Sequence, residues 1–232
     1  MVAGAKTNVS ILKPGSSRNT ANEPDDLVIP LMRSLPLACF SVVDIVDELG
    51  LNYRQYYVEN EPGANWLNIT SLPGFMRTTL DKLKAKVSRS RTPGIHPTLC
   101  CCIYYGLPII QSNRHVKELL AEKRRFEEME QEGSPREEFV SQYFRSPLDV
   151  GIESGKRQNV AVPEELKKNI AGLAINTGVT ESSLGILSTM AILAGQHEVA
   201  PNYQKQFSDK VEQFYSLVEM KVIGAKAMVD KL

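Results

Sequence analysis

The sequence predicts a mainly α-helical protein with short strands, and three stretches carry that prediction. Residues 157–195 read as a strand, a turn, a helix, a tight glycine turn and a second helix. Residues 66–110 run through the same order of elements at low identity. Residues 202–232 form one long amphipathic segment.

In residues 157–195, Val160 and Val162 alternate with Asn159 and Ala161, the period-two signature of a half-buried strand. Pro163 fits a first helical position, and Glu164 and Glu165 sit at the positive end of the helix dipole. Leu166, Ile170, Leu173 and Ala174 recur at helical spacing and make one apolar stripe. Gly178 fits a glycine C-cap, and Thr180, three residues before Ser183, fits an N-cap. The helix that follows is apolar on more than one side (Leu184, Ile186, Leu187, Met190, Ala191, Leu193), which predicts burial from several directions.

A lone strand followed by two helices cannot bury its own apolar face, so it needs a partner copy. The order strand, proline, apolar helix, Gly-Val-Thr turn and buried helix resembles the ribbon-helix-helix superfamily of DNA-binding proteins over about 40 residues. The resemblance implies that two copies pair their strands into an antiparallel β-ribbon that enters the major groove.

The expected partner is either a second copy in the same chain or the ribbon of a second chain in a homodimer, and the sequence offers a candidate for the first. Leu72-Pro73 sets against Val162-Pro163, and Met76, Leu80 and Leu83 then fall on Leu166, Ile170 and Leu173. After a longer loop, Gly94-Ile95-His96 falls on Gly178-Val179-Thr180, and the apolar run from Leu99 to Leu107 takes the place of the second helix. The helix register of this copy conflicts with the alternation of Leu67 and Ile69, because a one-residue slip turns every side chain over. We expect Leu67 and Ile69 inside and Asn68 and Thr70 outside, with a bulge or altered turn between strand and helix. The expected fold is thus mainly α with a short two-stranded antiparallel ribbon, made of tandem ribbon-helix-helix units plus extra helices.

The expected organisation is a disordered tail (1–25), a helical extension (26–64), a first unit (65–112), a charged helix and linker (113–156), a second unit (157–198) and a C-terminal helix (199–232). The tail is polar and aperiodic. Within the extension, residues 42–58 have a helix–glycine–helix order, but Asp44, Asp47 and Glu48 would repel phosphate, so packing or protein contact fits them better. The charged helix carries Val116, Leu119, Leu120 and Phe126 on one face, and Gly133-Ser134-Pro135 breaks it. In the C-terminal helix, Phe207, Val211, Phe214, Leu217, Val218, Val222, Ile223 and Ala225 mark a wide apolar side. That side either covers the tandem core or makes a homodimer interface.

Charge is balanced overall, with 27 Lys and Arg against 27 Asp and Glu, which argues against a protein that simply coats DNA. Its distribution is uneven. Between Arg77 and His115 the cations Arg77, Lys82, Lys84, Lys86, Arg89, Arg91 and Arg114 stand against Asp81 alone. Such a basic region suits a phosphate backbone. No apolar run approaches the roughly 20 residues of a membrane span, and the start of the chain lacks a basic-then-apolar leader. The expectation is a cytoplasmic, nucleoid-associated protein with no membrane partner. Cysteines 39, 100, 101 and 102 have no metal or disulfide spacing, and the adjacent three read as small core residues. The histidines at 96, 115 and 197 are scattered, and no nucleophile elbow, zinc helix or phosphate loop is visible. No enzymatic activity, cofactor or metal is expected.

The resemblance assigns roles by position. Outward strand residues read bases: Arg157, Asn159 and Ala161 in the second unit, Asn68 and Thr70 in the first. Arginine pairs bidentately with guanine and asparagine with adenine. The start of each second helix would hold phosphate, through Thr180 and Ser182 here and through His96 to Thr98 in the first copy. Glu181 and Pro97 are poor fits to that role. Arg77, Lys82, Lys84, Lys86, Arg89, Arg91, Lys167 and Lys168 complete the expected phosphate set. Double-stranded DNA is the implied partner, and the implied roles are transcriptional regulator or plasmid, phage or conjugation accessory factor. The alternative is an assembly factor that keeps the scaffold without binding DNA.

Overall fold

Two strands about 90 residues apart in sequence meet to form the sheet. The computed structural model describes residues 65–87, 95–129, 135–152 and 155–231. The expected tail, the 26–64 extension and the Arg89 and Arg91 positions lie outside these residues. Strand β1 (Asn65–Leu72) is followed by helices α1 (Gly74–Val87), α2 (Ile95–Ser112), α3 (Arg114–Met129) and α4 (Pro135–Arg145). Strand β2 (Lys156–Val162) then leads into α5 (Glu164–Thr177), α6 (Glu181–Ala194) and α7 (Gln204–Val229). The protein is mainly helical, with one two-stranded antiparallel sheet.

The strands pair Trp66 with Ala161, Leu67 with Val160, Asn68 with Asn159 and Ile69 with Gln158, and the register then shifts before Leu72 meets Lys156. That shift resolves the conflict visible in the sequence. Without it, strict alternation from Leu67 and Ile69 would turn Ser71 inward. With one residue taken up by a bulge, Leu67, Ile69 and Leu72 are all buried. The bulge leaves the Thr70 N–H outside the ladder, and it donates instead to Ser182 Oγ at 2.9 Å.

The caps form as their residues dictate. Gly178 closes α5 in the left-handed region at φ 80°, and its N–H donates to the Ala174 carbonyl. Thr180 caps α6 by accepting from the Ser183 N–H at 3.1 Å. Pro163 stands one place earlier than expected, at the N-cap of α5.

Beneath the sheet, α2 and α6 cross with their backbones in contact. A Cβ placed on Gly106 would lie 1.9 Å from the Ser188 carbonyl oxygen, so only glycine permits this approach. Helix α6 is buried along nearly its whole length from Ser182 to Leu193. Helix α2 runs further than the sequence suggests, through Pro108 to Ser112, because Ile109 and Ile110 beyond the proline are fully buried. The gain from burying two isoleucines, about 1.5–3 kcal/mol each, is comparable to the cost of a proline inside a helix.

Helix α7 packs on α3 and α6 and covers the core with Phe207, Val211, Phe214, Val218, Val222 and Ala225. Of the residues assigned to its apolar side, Ile223 departs, at 62% exposed. Within the expected linker lies helix α4, whose Phe144 packs on Phe126 of α3 at 5.7 Å between ring centroids.

One buried charge ties these helices together. Lys221 on α7 donates from Nζ to the Ser146 carbonyl at 2.8 Å and the Thr177 carbonyl at 2.9 Å, just past α4 and at the end of α5. Burial, and then the neighbouring Lys123 charge, push its pKa down to about 8.

Candidate nucleic-acid interface

The face of the ribbon turned away from the core carries Trp66, Asn68 and Thr70 from β1 and Arg157 and Asn159 from β2, all exposed. The alternation that buries Leu67, Ile69, Val160 and Val162 necessarily turns these side chains outward. Asn68 and Asn159 face one another at the middle of the register. Arg157 Nε donates to Asn68 Oδ1 at 2.9 Å across the strands. That bond braces the guanidinium through Nε and uses one of its five N–H donors.

Ala161 corrects the expected reader set. It is 2% exposed and so is not presented as a reading surface. Its cross-strand neighbour is Trp66, and a methyl group beside an indole on a narrow ribbon loses its water. Thr70 is exposed, but its hydroxyl lies 3.1 Å from Ser182 Oγ. Ser182 is itself buried, and its side chain serves the β1 bulge. A similar link lies at the start of α2, where His96 meets Gln158 of β2 through Nε2 and Oε1 at 2.9 Å. Helix α6 therefore begins against β1, and α2 against β2. Ser71 Oγ accepts from the Gly155 N–H at 2.8 Å.

The expected phosphate cations divide into two groups. Arg77, in the first turn of α1, and Lys82 are exposed and belong to no ion pair among the described residues. The others are partnered within the chain: Lys84 with Asp81 at 3.5 Å, Lys86 with Glu198 at 3.0 Å, Lys168 with Glu164, and Lys167 with Glu181. Exposed pairs of this kind are worth at most about 1 kcal/mol, so a phosphate can displace the acid. The Lys167–Glu181 pair is different, because it places a carboxylate at the start of α6, where phosphate was expected. Thr180 spends its hydroxyl on Ser183.

One feature of this face went unassigned in the sequence. Trp66, 40% exposed, shares the parity of Asn68 and Thr70, and that alternation could have found it. Lys156, exposed at the start of β2, pairs with buried Leu72 and has the opposite parity to Arg157, so it lies at the end of the ribbon and not on this face.

Among the described residues, no group of three or more His, Cys, Asp or Glu side chains is placed to hold a metal ion. Cys100, Cys101 and Cys102 are buried, as a core role requires, and burial raises the thiol pKa of Cys101 and Cys102. No described helix is long and apolar enough to cross a membrane. The chain matches no protein-family model, no curated protein and no solved structure. The functional reading therefore rests on the geometry of the chain itself.

Proposed function

We propose that the chain is a sequence-specific double-stranded DNA-binding protein whose two ribbon-helix-helix units, in tandem, make the reading ribbon within one molecule. A regulator, or an accessory factor of a mobile element, acts through such a ribbon. The strand–helix–helix order occurs twice, the two strands pair antiparallel, and the two second helices pack together under them. The bulge in β1 adds a further support, since it brings the strand alternation and the helix register of the two halves into agreement.

The observation that carries the reading is the exposed set Arg157, Asn68 and Asn159 on one face of the ribbon. These are the side-chain types that pair with guanine and adenine edges in a major groove, which admits a two-stranded ribbon. Arg77, Lys82 and Lys156 flank that face in sequence and supply the salt-dependent phosphate term.

The second reading is an assembly factor on the same scaffold. Buried Ala161 and the Lys167–Glu181 pair at the start of α6 favour it. Fluorescence anisotropy on a random duplex pool at two salt concentrations separates the two. Salt-sensitive binding by the wild type, with sequence selection lost in Arg157→Ala/Asn159→Ala, supports the ribbon reading. Each bidentate pair lost costs about 1–3 kcal/mol of discrimination. Absence of binding even at low salt leaves the assembly factor.

A further inference from the structure

We infer that the ribbon reads a non-palindromic site, with Trp66 resting on thymine methyl groups at one end and Arg157 pairing with guanine at the other. This rests on the DNA-binding reading above. Asn68 and Asn159 oppose each other in the register, so the approximate two-fold axis relating the strands passes through that pair. Two residues before Asn68 stands Trp66, and two before Asn159 stands Arg157. The axis therefore exchanges an indole with a guanidinium. Beyond the axis it exchanges exposed Thr70 with buried Ala161.

In a ribbon made by two identical chains those positions would hold the same residue, and the target would be palindromic. One chain with two different strands has no such constraint. Trp66 is the chain's single tryptophan and remains 40% exposed on the reading face, opposite the small Ala161. On base edges in the major groove the apolar feature is the thymine 5-methyl group, and an indole face is its natural contact. The polar half is held differently, since the Arg157 guanidinium is braced by Asn68 at 2.9 Å.

The test starts with selection of duplexes by the wild-type chain from a randomised pool. The selected duplex is then titrated with deoxyuridine replacing thymidine in one half or the other. The expected site is non-palindromic. Loss of each contacted methyl weakens wild-type binding about fourfold in one half only, the effect of withdrawing one methyl-sized group from apolar contact. Trp66→Ala is expected to bind thymidine and deoxyuridine duplexes equally, and Arg157→Ala to relax selection at the opposite half. The deoxyuridine titration uses the wild-type chain, so it does not depend on the folding of a variant. A palindromic selected site, or wild-type affinity indifferent to deoxyuridine in both halves, would overturn the inference while leaving DNA binding intact. Failure of the wild type to select any duplex would overturn DNA binding itself and this inference with it.

Discussion

Replacing Lys221 with methionine separates the two terms that set the energy of the buried ammonium. The wild-type Nζ satisfies the Ser146 and Thr177 carbonyls at 2.8 and 2.9 Å, with the side chain 6% exposed. Methionine fills a similar volume but leaves both carbonyls unpaired, at about 1–3 kcal/mol each. Against this, the variant escapes the cost of a buried charge. The shift from the ordinary lysine value of 10.5 to about 8 puts that cost on the order of 3 kcal/mol. At pH 7 the terms nearly offset, so the variant is expected to fall between a gain of about 1 and a loss of about 3 kcal/mol.

The pH dependence is decisive. The folded-state pKa lies below the unfolded one, so between pH 8 and 10.5 the unfolded chain binds more protons and this group's contribution to stability rises with pH. Below pH 8 both states are protonated and the contribution is level. Urea unfolding of both proteins at intervals from pH 7 to 10.5 measures the difference, which cancels the titration of shared groups. The wild type is expected to gain on the variant by roughly 2–3 kcal/mol across that interval. A difference that stays flat would refute the assigned shift and the burial argument beneath it.

Two further expectations test the core. Gly106→Ala forces the α2 and α6 backbones apart, because its Cβ would meet Ser188 oxygen at 1.9 Å; a loss of about 1–3 kcal/mol or more is expected in thermal unfolding, and a wild-type midpoint would refute the crossing. The thiols at 100, 101 and 102 are buried, and those of Cys101 and Cys102 are held protonated by burial, so native protein is expected to protect all three from a thiol-disulfide reagent until denaturant is added. Rapid modification of these residues under native conditions, mapped by mass spectrometry, would contradict that.

Much of the fold was legible because its signals are local. Alternation at Val160 and Val162, and at Leu67 and Ile69, is a property of a pleated chain and survives without knowledge of neighbours. Gly178 and Thr180 announce their caps through backbone freedom and one short hydroxyl. The disagreement between strand parity and helix register called for a bulge or an altered turn, and a register shift between Ile69 and Leu72 supplies it. The site was legible only in outline. Asn68, Thr70, Arg157 and Asn159 are exposed on the outer face as parity requires, but parity could not report that Ala161 lies buried opposite Trp66.

Strand parities, helix stripes and caps were written in the local sequence, because each depends on residues within a few positions of one another. Only tertiary contacts decided between strand pairing within the chain and pairing between chains, and carried α2 past Pro108. They also decided that Lys221 is buried between two helix ends and that Lys86 and Lys167 face Glu198 and Glu181. The physical reason is distance along the chain. Ser182 reaches Thr70 across 112 residues and Arg157 reaches Asn68 across 89, and no periodicity encodes which remote group will supply a hydrogen bond or remove water.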